Sequence, residues 1–316
     1  DPVASAVTAV TLEHTDVLGD TVGEIARDKA HVAPTDRPLV TGATGTLGAA
    51  LTGRLTEAGH AVRGASRSPP AVADDEPGGS NGPDEWVKLD LAAGEGIERA
   101  VEGVDVIVHA ASDPAGDSEA VDARGTGRLL AATESAGVEH FVYPSIVGVD
   151  EIPYSYYEHK LAAERTIEAS EVPSTVLRAT QFHQFVDELI GTVARSPVWP
   201  LPTDFRVQPV DAREVADELV DIATGEPRGR AAPFGGPEVR TGRELVDAYR
   251  EVRGLRRLVV RLPLPGAAAR EFRAGTNTCP DRAVGTTTWE AWLAETYGRR
   301  ASASAPAGGS ASRADG

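Results

Sequence analysis

The ten residues Leu39-Val40-Thr41-Gly42-Ala43-Thr44-Gly45-Thr46-Leu47-Gly48 constrain this chain more than any others. An apolar run leads into three glycines spaced three apart, and an amphipathic segment follows. That order reads as strand, tight turn and helix. Gly42 permits the turn, Gly45 lets a phosphate come close to backbone, and Gly48 lets the helix pack tightly on the strand. A helix that starts there presents free amides to an anion, so Gly42, Thr44, Gly45, Thr46, Leu47 and Gly48 are candidate pyrophosphate-binding residues. A glycine triplet alone is equally an ordinary strand-to-helix turn, and the surrounding pattern has to decide.

That pattern is repeated alternation. Short apolar runs at Pro38 to Thr41, Ala61 to Ala65, Trp86 to Leu89, Val104 to His109, Phe141 to Tyr143 and Thr175 to Leu177 read as strands. Helix-sized stretches lie between them: Leu47 to Ala58, Gly96 to Val101, Val121 to Ala136 and Tyr156 to Ala169. Strands of this length separated by helices specify an α/β chain with a doubly wound parallel sheet, the Rossmann arrangement. Residues 37–299 read as that domain, with a smaller C-terminal substrate lobe formed by insertions mainly after 178. Residues 1–36 read as a peripheral extension, disordered or with one helix on the stripe Leu18, Val22 and Ile25. Residues 300–316 are small, polar and Gly/Ala/Ser-rich, and read as a disordered tail. Ser68 to Asp84 reads as a surface excursion.

Charge and composition exclude several functions. The 48 acidic residues outweigh 31 basic ones, a net charge of -17, so nucleic acid and anionic membranes are not expected partners. Cys279 is the single cysteine, and no Cys/His spacing suggests a metal site. No window carries the apolar length of a membrane span, and the reading is a soluble, cytoplasmic protein acting on a small molecule. The acidic excess resembles a salt-adapted surface. The absence of Met, even at position 1, suggests a trimmed or fragmentary chain.

Tyr156 and Lys160 stand at i, i+4 on one helical face. An ammonium beside a phenol lowers its pKa and makes it a usable proton donor or acceptor near neutral pH. In a chain that otherwise uses Arg for nearly every cation, a Lys at this position points to a need for the compact ammonium. Ser145 ends the run Phe141-Val142-Tyr143-Pro144 at a strand's C-terminal edge, where it reaches the same crevice. The catalytic candidates are therefore Ser145, Tyr156 and Lys160. After the second strand, Ser66 and Arg67 take the place where an acid would hold a ribose 2'-hydroxyl. An Arg there accommodates a 2'-phosphate, which favours NADP(H), with NAD(H) possible.

With glycine loop, serine and Tyr/Lys pair in order, the chain resembles the short-chain dehydrogenase/reductase superfamily. It is most similar to the extended or atypical members grouped with NmrA-like and NAD(P)H-binding proteins, over roughly residues 37 to 297. The resemblance implies that Asp90 and Leu91 contact adenine and that His109-Ala110-Ala111-Ser112, through Ala110 and Ala111, lies beside the adenine ribose. It implies that Ser145, Tyr156 and Lys160 form the triad, with Lys160 also on the nicotinamide ribose. The chain departs from the family in two places. Asp122 stands where an Asn commonly relays protons, and Leu177-Arg178-Ala179-Thr180-Gln181-Phe182-His183 replaces the Pro-Gly turn of sugar-nucleotide enzymes. Gln181, Phe182 and His183 are expected on the substrate side, although a lone His is more often a satisfied structural residue. Trp289 and Trp292 read as core. The leading reading is an NADP(H)-dependent oxidoreductase of a small carbonyl or quinone-like substrate. The alternatives are a non-catalytic NADP(H)-sensing regulatory or assembly protein and a sugar-nucleotide epimerase or dehydratase.

Overall fold

The computed structural model describes residues 37–70 and 82–303. The proposed extension 1–36, most of the Ser68 to Asp84 excursion and residues 304–316 lie outside the described residues. In chain order the elements are β1 (Pro38–Thr41), α1 (Thr46–Glu57), β2 (Arg63–Ser66), β3 (Glu85–Lys88), α2 (Ile97–Val101) and β4 (Val106–His109). A π-helical turn (Glu119–Gly125) then leads into α3 (Thr126–Ala136), β5 (His140–Ile146), α4 (Ser155–Glu168), β6 (Ser174–Ala179) and α5 (His183–Val193). The remainder comprises β7 (Val198–Leu201), β8 (Arg206–Val207), α6 (Ala212–Ala223), β9 (Gly229–Arg230), β10 (Arg240–Thr241), α7 (Gly242–Val252), β11 (Leu258–Arg261), α8 (Ala267–Ala274) and α9 (Trp289–Ala303).

The chain divides into two compact units. Within the described residues, the first holds 37–150, 154–178 and 212–232. Its frame is a seven-stranded parallel sheet in the order β3-β2-β1-β4-β5-β6-β9, a doubly wound Rossmann sheet. The reversal of direction falls between β1 and β4, which pair in parallel from Pro38 opposite Val106 to Thr41 opposite His109. In an open parallel sheet this is where a crevice opens beyond the strand C-termini. The central strands β1, β4 and β5 are buried on both faces, as their near-continuous apolar runs require, while the edge strands β3 and β9 are partly or fully exposed. Leu39, Ile107, Phe141, Tyr143 and Val176 sit in one core with Leu129 of α3 and Ile167 of α4. On the other face α6, which the chain reaches only after leaving the unit, returns to pack against α1. Strand and helix boundaries follow the expected pattern to within two or three residues. The exception is the helix expected over Val121 to Ala136, whose first turn is π-helical.

The second unit, residues 151–153, 179–211 and 233–303, carries two small sheets, parallel β7 with β11 and antiparallel β8 with β10. Its core is aromatic: Trp199, Tyr249, Trp289 and Trp292 pack with Leu245 and Leu293. The expectation that Trp289 and Trp292 are core residues holds, with the two indoles stacked at 5.5 Å. Helix α9 runs through Arg300 to Ala303, so the proposed tail starts inside a helix. No helix among the described residues is long and apolar enough to cross a membrane.

Candidate active site

The glycine loop has the local geometry its spacing implies. Gly42 adopts φ +65°, and a Cβ there would meet the Ala111 Cα at 2.7 Å, so only glycine lets the β1 turn lie against the segment after β4. A Cβ on Gly48 would stand 2.1 Å from the Gly42 carbonyl oxygen, which is why α1 starts so close to the strand it follows. Gly45 is the N-cap of α1 and no side chain caps the helix, leaving its first amides, on Thr46 and Leu47 among others, directed at the crevice.

A buried histidine ties this loop to the next strand. The Thr41 hydroxyl accepts the Ala111 N–H at 3.2 Å and lies 2.7 Å from His109 Nδ1. His109 Nε2 lies 3.0 Å from Thr126 Oγ1, whose proton is donated to the Asp122 carbonyl at 2.5 Å. Because Thr126 has already used its proton, it must accept from Nε2–H. We therefore assign the neutral Nε2–H tautomer, with Nδ1 accepting from Thr41. Burial, with Lys160 nearby, pushes the imidazole down to about 3, which keeps it neutral at any ordinary pH. One polar chain thus joins β1, β4, the π-turn and α3.

Tyr156 and Lys160 lie on one face of α4, as expected, but Lys160 acts differently from the expectation. Its Nζ donates to the Pro144 carbonyl at 3.0 Å, sits 4.1 Å from the Tyr143 ring centre and is 3.8 Å from Asp122 Oδ1. Its charge is therefore shared with Asp122, and burial lowers its own pKa. The pKa of Tyr156 is raised, by burial first and then by the Asp122 carboxylate. The depression expected from Lys160 is absent: burial and the Asp122 carboxylate set the direction. Tyr156 is held as a neutral phenol.

Its partner is not Ser145. Ser145 ends β5 as expected, but its Oγ is buried, has no hydrogen-bond partner of proper geometry and neighbours Glu164. The hydroxyl bonded to Tyr156 is that of Ser112. Its Oγ lies 2.9 Å from Tyr156 Oη and donates to Asp122 Oδ1 at 2.6 Å, while the Asp113 N–H donates to Asp122 Oδ2 at 3.1 Å. Ser112 was visible in the sequence only as the end of His109-Ala110-Ala111-Ser112. Asp122 showed there as an acid in an Asn position, and no spacing rule joined the two.

Other expected contacts fall as follows. Ser66 Oγ is buried at the end of β2 without a partner, and the exposed Arg67 guanidinium stands 3.6 Å from Asp113. Asp90 Oδ1 accepts the Ala93 N–H, and Leu91 is buried. Gln181, Phe182 and His183 belong to the second unit. His183 is fully buried, its Nε2 bonds the Thr287 carbonyl at 3.1 Å and its ring stacks on Trp292 at 5.6 Å. Gln181 and Asn277 pair side chain to side chain at 3.0 Å. His183 is thus a packing residue of an aromatic core, and its expected substrate role is withdrawn.

A family model described as NAD(P)H-binding matches residues 42–226, more than half the chain. The chain is 31% identical over 220 residues to a (4-alkanoyl-5-oxo-2,5-dihydrofuran-3-yl)methyl phosphate reductase of Streptomyces griseus, covering 68% of this chain and 73% of that one. A 45-residue stretch, 14% of this chain, is 78% identical to part of a probable bifunctional folylpolyglutamate synthase/dihydropteroate synthase of Haloferax volcanii, of which it spans only 5%. In fold the chain is similar to an NADPH-dependent quinone oxidoreductase of Escherichia coli complexed with NADPH. The TM-score is 0.67 at 17% identity, over 82% of this chain and 99% of that one.

Proposed function

The chain belongs to the NAD(P)H-binding family, within the short-chain dehydrogenase/reductase superfamily, and we propose that it is an NADP(H)-dependent oxidoreductase that reduces a small carbonyl or quinone-like substrate. The observation that carries this reading is the Tyr156 hydroxyl, kept protonated and hydrogen-bonded to Ser112 in the same unit as an uncapped dinucleotide-type loop. The residues fit a bound dinucleotide. The free amides at the start of α1 suit a pyrophosphate, and the orphaned Ser66 hydroxyl with Arg67 beside it suits a phosphorylated ribose. Lys160, a buried ammonium with a single hydrogen bond to Pro144 among the described residues, has N–H groups left for ribose hydroxyls.

When bound, the dinucleotide supplies hydride. The protein supplies the proton: the Tyr156 Oη–H bond breaks as the O–H bond on the substrate oxygen forms. Ser112 orients the phenol, and its hydrogen bond is the one that eases formation of the phenolate left behind. Support also comes from the Streptomyces relative, itself named a reductase. NADPH oxidation against a panel of quinones, aldehydes and ketones tests the reading, with Tyr156→Phe as control. Turnover lost in the variant, with NADPH affinity retained, is the expected result. Tight NADPH binding without turnover on any member of the panel would move the protein to the sensing class.

A further inference from the structure

We propose that Ser112 and Asp122 are positioning residues for Tyr156: the Ser112 hydroxyl, fixed by the Asp122 carboxylate, aims the phenol, and the nearby carboxylate makes the protonated phenol the resting state of the site. The inference rests on the reductase reading and deepens it.

The proton count decides the direction of the hydrogen bonds. Ser112 has one hydroxyl proton and donates it to Asp122 Oδ1 at 2.6 Å. At 2.9 Å from Tyr156, its oxygen must then accept the phenol's proton. The second carboxylate oxygen is held by the Asp113 N–H, so Asp122 is oriented from two sides and its side chain is fully buried. The carboxylate comes from a π-helical turn, a backbone form that re-aims side chains and is frequent at functional sites. The turn is fixed to α4 by Ser118, which meets His159 Nδ1 at 2.9 Å.

The other titratable groups that act on the phenol are Tyr154 and Tyr157 beside it in sequence and Tyr143 on β5, with Lys160 one turn along α4. Asp113, with Arg67, lies beyond Ser112. Among the described residues Lys160 is the one cation paired with Asp122, and its 3.8 Å separation is too long for a hydrogen bond. Negative charge therefore reaches the phenol through a hydroxyl, while the positive charge is partly spent on that same carboxylate. Hydride addition to a carbonyl asks the protein for a proton, which a neutral phenol holds ready. The same anion opposes the phenolate that the transfer leaves, so the carboxylate fixes the resting protonation state and not the direction of the reaction.

The test is a difference titration of the free protein, wild type minus Tyr156→Phe, following phenolate absorbance. In wild type the phenolate is absent where ordinary tyrosines ionise, near about pH 10. In Asp122→Asn, with the anion gone and Lys160 released, the onset of phenolate moves to lower pH than in wild type although burial still holds it above the ordinary range, a gain of about tenfold in the ionisation constant. A folded Asp122→Asn protein with normal NADPH affinity and no such gain would overturn the inference. Ser112→Ala keeps the inference testable where Asp122→Asn does not fold. That variant loses about tenfold or more in kcat at unchanged KM, and Ser112→Thr restores it because the hydroxyl returns. Equal activity of Ser112→Ala and Ser112→Thr would also overturn it. A wild type with an Asp122-dependent phenol but no turnover fails only as a reductase. Turnover that dies with Tyr156→Phe while Asp122→Asn leaves the phenol unmoved fails only this inference.

Discussion

Helix α4 buries two charges on one face, one turn apart, and they are held in opposite ways. Glu164 is saturated: Arg178 grips it through Nε at 2.9 Å and Nη2 at 2.7 Å, Arg230 adds bonds at 3.1 and 3.2 Å, and Arg178 also reaches Asp150 at 2.9 Å. Lys160 has one hydrogen bond, to Pro144, and a counter-ion at 3.8 Å. A buried charge bonded by two guanidinium groups anchors a helix to its sheet, and it has little left to offer a ligand. A buried charge with spare donors is expensive to keep and is retained where chemistry uses it. The same contrast separates two serines: buried Ser145 sits beside the saturated end, and exposed Ser112 beside the open one.

Substitutions at the two ends should separate activity from stability. The largest effect is expected at the open end. Tyr156→Phe should lower kcat by about 10³-fold, within the usual range for a lost general acid, while the thermal midpoint stays within a degree or two of wild type. A comparable fall in stability would erase the distinction. Next is Glu164→Ala at the saturated end, which leaves Arg178 and Arg230 without their shared anion. It should cost about 3 kcal/mol in denaturant unfolding and leave NADPH affinity unchanged once folded.

Acid titration sharpens the comparison. Against the upward pull of burial, the Arg178 hydrogen bonds hold the Glu164 carboxyl below its ordinary 4.5. A depressed carboxyl contributes stability that is fully present above the unfolded value and is lost as pH falls through the folded one. Glu164→Gln should therefore remove part of the stability loss seen below about pH 4.5. His109 acts over a wider window. Its imidazole falls from 6.5 to about 3, so between those values the unfolded chain binds a proton that the folded one refuses. Stability should drop by about 1.4 kcal/mol per pH unit from this group alone as the solution is acidified below 6.5. In His109→Gln that slope should be shallower; an unchanged acid limb would show that the imidazole is not the group responsible. The smallest effect is at the rim. Arg67→Ala should weaken NADPH by about tenfold and NADH hardly at all, and equal loss for both would remove the basis for an NADP(H) preference.

Much of the first unit was legible because its signals are local. Glycine spacing, apolar runs of strand length and the i, i+4 Tyr156/Lys160 pair each depend on neighbours within a few residues, and backbone sterics act over that range. The hydrogen-bond partners were not legible. Ser112 meets Tyr156 across 44 positions and Thr41 meets His109 across 68, and no periodicity connects residues on different strands. The π-turn escaped because its sequence, Glu119-Ala-Val-Asp-Ala-Arg-Gly125, reads as ordinary helix. His183 looked like a site residue since it follows a strand's C-terminus, and only the indoles of Trp289 and Trp292, more than 100 residues on, reveal it as core.

The sequence by itself determined that this chain folds as a doubly wound sheet with a phosphate-ready loop, because strand, turn and helix preferences are set by adjacent residues. It also set Tyr156 one helical turn from Lys160. Only the tertiary structure decided what that pair does. The polarity of a buried phenol depends on which charges the fold brings within a few ångströms of it. Here the fold places Asp122 and Ser112 at that distance and turns Ser145 toward Glu164.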